Sequence, residues 1–357
     1  MRMMLPLLLL VGGSFQPGRA SVITSIADSM LTAGGYPAAT VIGLIPGYIP
    51  TLGNQILIIT TGEILYTPDY AESQSLDLQL FGPIPAEMKL GSATTVASLG
   101  NVGLDGGVVF AADGLRNLLY QYDMGDQAIV GNQLLVGVPL VTLAFSNGVL
   151  YGETHSSIFD SYALYAINAN NGTSTEIVAT NTYVTGASVL EAGPGGVLYT
   201  LGQAVGAEGS CTAGQWCVIG IDPHNGALLS GFALPFDAST SALTVGSDGR
   251  FYLATGNGQG YIYSGSGTEL DVLSSSIVNA EVNGGDTLLT LDGSGSYLYL
   301  NDAATGLHVF DVKVTPEPGE AGMIAAGAAL LWLLRRIRER RHRAATSACG
   351  TGSTIPA

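Results

Sequence analysis

The chain has 357 residues, of which 47% are hydrophobic, 11% are charged and 50 are Gly, with a formal net charge of −16. That much apolar side chain excludes a disordered polymer, and low charge with abundant Gly, Tyr and Val points to turn-rich β structure over a helical bundle. Between Ser21 and Thr315, 25 Asp and Glu face only Lys89, Arg116, Arg250 and Lys313; such a body repels phosphates, so nucleic acid is not an expected partner.

The first twenty residues, MRMMLPLLLLVGGSFQPGRA, place Arg2 before an apolar stretch from Met3 to Val11 and end on the small residue Ala20. This is the layout of a secretory signal peptide, with cleavage expected after Ala20. The stretch is too short to span a bilayer. Residues 21–51 include GYPAATVIGLIPGYIP, expected either to close a ring as an N-terminal strand or to begin a seventh repeat.

Residues 52–314 carry an internal repeat. Gly followed by a short apolar-aromatic strand occurs as GEILY (Gly62), GVVF (Gly107), GVLY (Gly148), GVLY (Gly196), GRFY (Gly249) and, weakly, GDTLL (Gly285). A second pattern, a strand ending in Asp or Asn before a tight turn, follows in LYAINANNG (Asn168, Gly172), VIGIDPHNG (Asp222, Gly226) and LYLNDAATG (Asp302, Gly306). Asp and Asn cap such turns, and Gly supplies the positive φ they need. With segments such as VTLAF (Val141 to Phe145), each unit holds about four strands in roughly 45 residues, and a lone unit would leave an apolar face uncovered. Six such units predict an all-β, six-bladed β-propeller, with seven blades as the alternative count. A pair of β-sandwiches or a β-solenoid is the runner-up fold. The strand ends and turns resemble the repeats of quinoprotein-like and WD40-like bacterial propellers. The recurring Trp of the quinoprotein repeats is absent, since the body holds only Trp216, so the resemblance does not imply a bound quinone.

Signals for chemistry are few. His155, His224, His308 and His342 form neither HExxH nor an HxH pair, and no GxSxG elbow, P-loop or dinucleotide fingerprint occurs. Cys211 and Cys217 bracket the loop CTAGQWC and are expected to form a disulfide in an exported protein. Asp292, Ser294 and Ser296 match the first spacings of a calcium loop, but Tyr297 and Ala303 stand where Gly and Glu would be needed. No cofactor or metal is expected, a structural calcium at an Asp-rich turn being the alternative.

The tail is more informative. Pro316, Glu317 and Pro318 precede the uncharged run from Ala321 to Leu334, and six arginines follow between Arg335 and Arg343. As a helix the run would be about 21 Å long, against a hydrocarbon core of about 30 Å. The arginines favour a cytoplasmic end, which leaves the acidic body outside. The triplet, the apolar helix from Gly322 to Leu334 and the cluster containing Arg335, Arg336 and Arg338, together residues 315–343, resemble a PEP-CTERM sorting signal. That resemblance implies an exosortase-type membrane transpeptidase as partner, passage through the inner membrane, and release or transfer to the cell envelope or outside. Residues 344–357 extend past the usual end of such a signal and are expected to be a disordered tail.

Together these readings anticipate an exported, non-enzymatic envelope or matrix protein that binds exopolysaccharide or a surface protein. A polysaccharide lyase or hydrolase acting at the propeller mouth is the alternative. It would need Arg116, Arg250, His155 or His308 to converge with Tyr or carboxylates.

Overall fold

In a computed structural model the chain divides into two compact units, Met1–Val312 and Lys313–Ala357. The structure describes residues 21–27, 41–49, 53–60, 63–68, 79–83, 94–98, 108–113, 116–123, 126, 128–129, 134–156, 161–186, 189–238, 241–255, 259–273, 288–292, 294–302 and 306–312. The expected signal peptide at residues 1–20, the Pro316 to Pro318 triplet, the apolar run, the arginine cluster and residues 344–357 lie outside these residues.

Within the first unit the alternating strands assemble into antiparallel sheets. Strand β1 (Ser21–Ala27) stands apart in sequence from its sheet. The first sheet holds β2 (Val41–Ile49), β3 (Gly53–Thr60), β4 (Glu63–Pro68) and β5 (Gln79–Pro83) in spatial order. In the second, β6 (Thr94–Ser98), β7 (Val108–Asp113) and β8 (Leu118–Asp123) are followed by the short β9 (Ala128–Ile129) and β10 (Leu134–Leu135), both paired to β8. The third is β11 (Leu140–Ser146), β12 (Val149–Ser156), β13 (Ser161–Ile167) and β14 (Ser174–Val178). In the fourth, β15 (Val184–Thr185) and β16 (Leu190–Ala192) both pair with β17 (Leu198–Ala204), which leads to β18 (Trp216–Ile221) and β19 (Leu228–Ala233). The fifth is β20 (Ser241–Val245), β21 (Phe251–Thr255), β22 (Gly260–Tyr263) and β23 (Glu269–Leu273). The sixth holds β24 (Leu288–Leu291), β25 (Tyr297–Asp302) and β26 (Gly306–Asp311), with β1 on its outer edge.

The first strands make a closed cycle: β2 touches β6, β6 touches β11, and the contacts continue through β16, β20 and β24 back to β2. Apolar layers fill the spaces between successive sheets. Ile45 and Leu57 meet Tyr120 and Tyr122 between the first and second sheets, and Leu164 meets Leu198 and Ile219 between the third and fourth. Ile262 meets Leu298 and Phe310 between the fifth and sixth. Tyr299 and Val309 then meet Ile56 and Ile58, which closes the cycle. Each such side chain contributes about 2 kcal/mol when fully buried, and no sheet could bury both faces alone. Among the described residues there is no α-helix, and the architecture is that of a β-propeller.

The repeat phase differs from the sequence reading at both ends. Gly107, Gly148, Gly196 and Gly249 lead into the second strand of their sheets, but Gly62 leads into β4, a third strand, and Gly285 into β24, a first strand. The strands in phase with the others are β3 and β25. The Asn168 and Asp222 turns follow third strands, where the amides of Gly172 and Gly226 donate to the Asn168 and Asp222 carbonyls, each at 2.8 Å. Asp302 instead ends a second strand, because the sixth sheet takes its fourth strand from the N-terminus.

Candidate functional site: the central channel

The cycle of first strands surrounds a cavity of about 340 Å³. Register explains which residues reach it. In LAFSNGVLY, LEAGPGGVLY, LTVGSDGRFY and LTLDGSGSYLY, Ala144 pairs with Tyr151, Glu191 with Tyr199, Thr244 with Tyr252, and Thr290 with Tyr299. In the first sheet Pro46 pairs with Ile56. Pro46, Ala144, Glu191, Thr244 and Thr290 all line the cavity. One position, repeated around the ring, therefore sets the character of the channel, and among these five strands only that of the fourth sheet carries charge there.

Strand alternation turns Glu191 to the face of the fourth sheet that looks toward the fifth, the side on which its cross-strand partner Tyr199 packs, and it lies there on the cavity wall. Leu190 and Ala192 pack toward the third sheet, so the residue between them points to the other side. The carboxyl keeps partial contact with the cavity but is otherwise surrounded by protein, and burial pushes its pKa up to about 8. It has no hydrogen-bond or ion-pair partner among the described residues. Among the described residues the other ionisable group on the cavity wall is Asp292. Its carboxylate accepts the amides of Ser294, Ser296 and Tyr297 at 3.2, 2.7 and 2.8 Å, which holds the long β24–β25 turn. The residues that match the first spacings of a calcium loop thus hydrogen-bond to one another. Among the described residues no group of three or more His, Cys, Asp or Glu is placed to hold a metal. The remaining wall mixes the apolar Leu44, Leu143, Phe145 and Leu291 with the hydroxyl residues Thr244, Ser247 and Thr290.

A second carboxyl lies deeper. Glu153 on β12 is fully buried between the third and fourth sheets. Burial raises its pKa to about 7, although the hydroxyls of Thr180 and Thr200, donating at 2.7 and 3.4 Å, act in the opposite direction. Its partners are a 3₁₀ turn and strand β17, so its part is to fasten neighbouring sheets.

The residues that a lyase would need do not come together. Arg116 pairs with Asp113 at the β7–β8 turn, and Arg250 pairs with Asp248 at 3.2 Å at the β20–β21 turn. His308 is buried on β26. His224 sits exposed in its turn, its Nδ1 3.1 Å from Asp222 Oδ1, and the His155 side chain lies outside the described residues. None of the described residues that line the cavity is basic, histidine or tyrosine. Cys211 and Cys217 form a disulfide that ties the β17–β18 connection to the start of β18. Spacing alone does not distinguish Glu191 among 25 acidic residues. Aligning the first strands of the repeats would mark it as the charged member of a small or apolar position.

No known protein family matches the chain, and no curated protein does. Among solved structures, similarity is found to the Kuenenia stuttgartiensis hydrazine synthase (13% identity, TM-score 0.49, covering 74% of each chain). A gluconolactonase from Xanthomonas campestris is similar at 12% identity and TM-score 0.49, over 84% of this chain and 98% of that one. The virginiamycin B lyase from Staphylococcus aureus is similar at 12% identity and TM-score 0.47, over 77% and 96%. At such identities no residue role passes from these proteins to this chain.

Proposed function

We propose that the chain is an exported cell-envelope or matrix protein, a six-bladed propeller delivered through PEP-CTERM sorting, that binds a glycan or a surface protein without catalysing a reaction. In this reading each of the six sheets is one blade. The observation that carries it is the pairing of Ser21 with Asp311 on the outer edge of the sixth sheet. Cleavage after Ala20 would leave the closing strand whole. The chain departs from the end of β26 only a few residues before Pro316. Both processing points then flank one end of one blade, and neither removes a strand. Prolines at 316 and 318 disfavour a helix at Glu317 between them, which suits a triplet read by a processing enzyme. Expression in hosts with and without an exosortase, followed by intact mass measurement, tests the proposal. A mature form running from Ser21 to the neighbourhood of Pro318, dependent on the exosortase, is expected. An unprocessed C-terminus in both hosts would overturn the sorting claim.

The channel supports the binding part of the reading. A cavity of this volume accommodates a small ligand or one protruding group of a larger one, and its walls combine apolar surface with Thr244, Thr290 and Glu191. The lyase or hydrolase alternative finds less support, because its required basic residues and histidines are dispersed among turns and interior strands. Co-sedimentation with exopolysaccharide is expected to retain the protein while leaving polymer length unchanged.

A further inference from the structure

We infer that the channel is a site for a primary ammonium group carried on an aliphatic chain, with the Glu191 carboxylate as its counter-ion. This deepens the reading of the channel as a binding site and does not depend on the route of export. Three independent features point to it. The ring position opposite the repeat tyrosines is small, apolar or hydroxylated in the other lining strands and charged only at Glu191. None of the described residues satisfies that carboxyl, although a buried polar group without a partner is costly. Around it the wall offers two kinds of contact: Leu44, Leu143, Phe145 and Leu291 suit methylene groups, while Thr244 and Thr290 present hydroxyl oxygens that accept N–H bonds.

The rest of the molecule favours a cation. The body between Ser21 and Thr315 has 25 acidic and four basic residues, a field that concentrates cations at a low-dielectric cleft. Arg116 and Arg250 do not compete for the carboxyl, since they are held at turns by Asp113 and Asp248. Among the described residues, the ionisable groups that share its strand pairing or its cavity are Tyr199, the cross-strand partner, and Asp292, whose carboxylate is already engaged by three amides. A compact ammonium with three donors can join Glu191 to the two threonines. A hydroxyl group of the same size brings one donor and no charge.

Protonation provides a signature. In the empty channel Glu191 holds its proton at neutral pH, because burial raises its pKa to about 8. Binding an ammonium ion then requires the proton to leave, so affinity rises with pH until the carboxyl is ionised. Between pH 7 and pH 9 the ionised fraction grows about tenfold, while an alkylamine of pKa near that of Lys stays charged.

Calorimetric titration of the mature protein with n-pentylamine, n-pentanol and Nα-acetyl-lysine methylamide tests the inference. The amine is expected to bind at least about tenfold more tightly than the alcohol, to gain about tenfold in affinity from pH 7 to pH 9, and to release a proton at pH 7. Glu191→Gln and Glu191→Thr are each expected to lose at least about tenfold at pH 9. The second variant installs the residue already present in the fifth and sixth sheets and so guards against misfolding. Equal affinity for the alcohol, no measurable binding of the amine, or undiminished binding by Glu191→Thr would overturn the inference. Binding of the lysine derivative identifies the source as a protein side chain, and binding of the free amine alone identifies a small metabolite. Exopolysaccharide retention that survives in Glu191→Thr would leave the broader binding function standing while the ammonium site fell.

Discussion

The hydroxyl of Thr180 donates to Glu153 Oε1 across 2.7 Å, joining residues 27 positions apart at the seam of the third and fourth sheets. Thr200, from the next sheet, donates to the other carboxyl oxygen at 3.4 Å. A seam otherwise built from Leu164, Leu198 and Ile219 thus contains one carboxyl held between two hydroxyls.

That carboxyl makes stability depend on pH. Its folded pKa, about 7, exceeds the ordinary 4.5. The folded state therefore keeps a proton that the unfolded state releases. Its contribution is full below about pH 4.5 and is lost as pH rises through about 7, a change on the order of 3 kcal/mol for a fully buried group. Glu153→Gln cannot ionise. Urea unfolding at pH 5 and pH 8.5 should show the variant gaining roughly 2 to 3 kcal/mol on the wild type between the two conditions. Parallel pH profiles for the two proteins would refute this account.

The closing strand should be indispensable. β1 pairs with β26 from Ser21↔Asp311 to Ala27↔Gly306, covering an edge whose neighbours Leu307, Val309 and Phe310 are buried. Deleting residues 21–27 exposes that edge to pairing between chains. Size-exclusion chromatography with light scattering is expected to show larger oligomers or aggregate than the intact body forms. A deletion variant with the same mass distribution and unchanged unfolding would show that β1 is dispensable.

The disulfide closes a short loop, since Cys211 and Cys217 are six positions apart. Loop closure of this length is worth about 2 kcal/mol through the unfolded chain. Replacing both cysteines with serine should lower the unfolding free energy by about that amount, and thiol titration of the unfolded wild type should find only Cys349 free, if the tail is retained.

Two glycines with similar backbones should respond differently to alanine. Gly148 has φ +84 and open space where a Cβ would stand, whereas Gly267 has φ +81 and the Phe232 side chain already occupies that place. Gly148→Ala meets backbone strain alone, about 1 kcal/mol. Gly267→Ala adds overpacking against the Phe232 ring and should cost about 3 kcal/mol. Equal losses in denaturant unfolding would show that crowding at Phe232 relaxes freely.

Much of the architecture is legible in the sequence because its determinants are local. Alternating apolar residues in LYAI and VIGI specify strands, and Gly172 and Gly226 specify the turns that end them, whatever the strands later touch. The phase of the first and last repeats is not legible. GEILY at Gly62 and GDTLL at Gly285 look like the other glycine strands, yet β4 and β24 occupy different places in their sheets. The cause is the N-terminal strand: once β1 completes the sixth sheet, the chain ends that sheet after its third strand.

Composition and neighbouring residues suffice to specify the β class, the repeat and its approximate length, the acidity of the body, the loop bracketed by Cys211 and Cys217, and the resemblance of both termini to sorting signals. Folding adds the rest: Ser21 comes to lie beside Asp311, Glu153 bridges two sheets, and Glu191 stands with Pro46, Ala144, Thr244 and Thr290 around one channel. Such placements depend on register and on the closing of a cycle, which join residues far apart in the chain, and no local pattern encodes which of many carboxyls will face the axis.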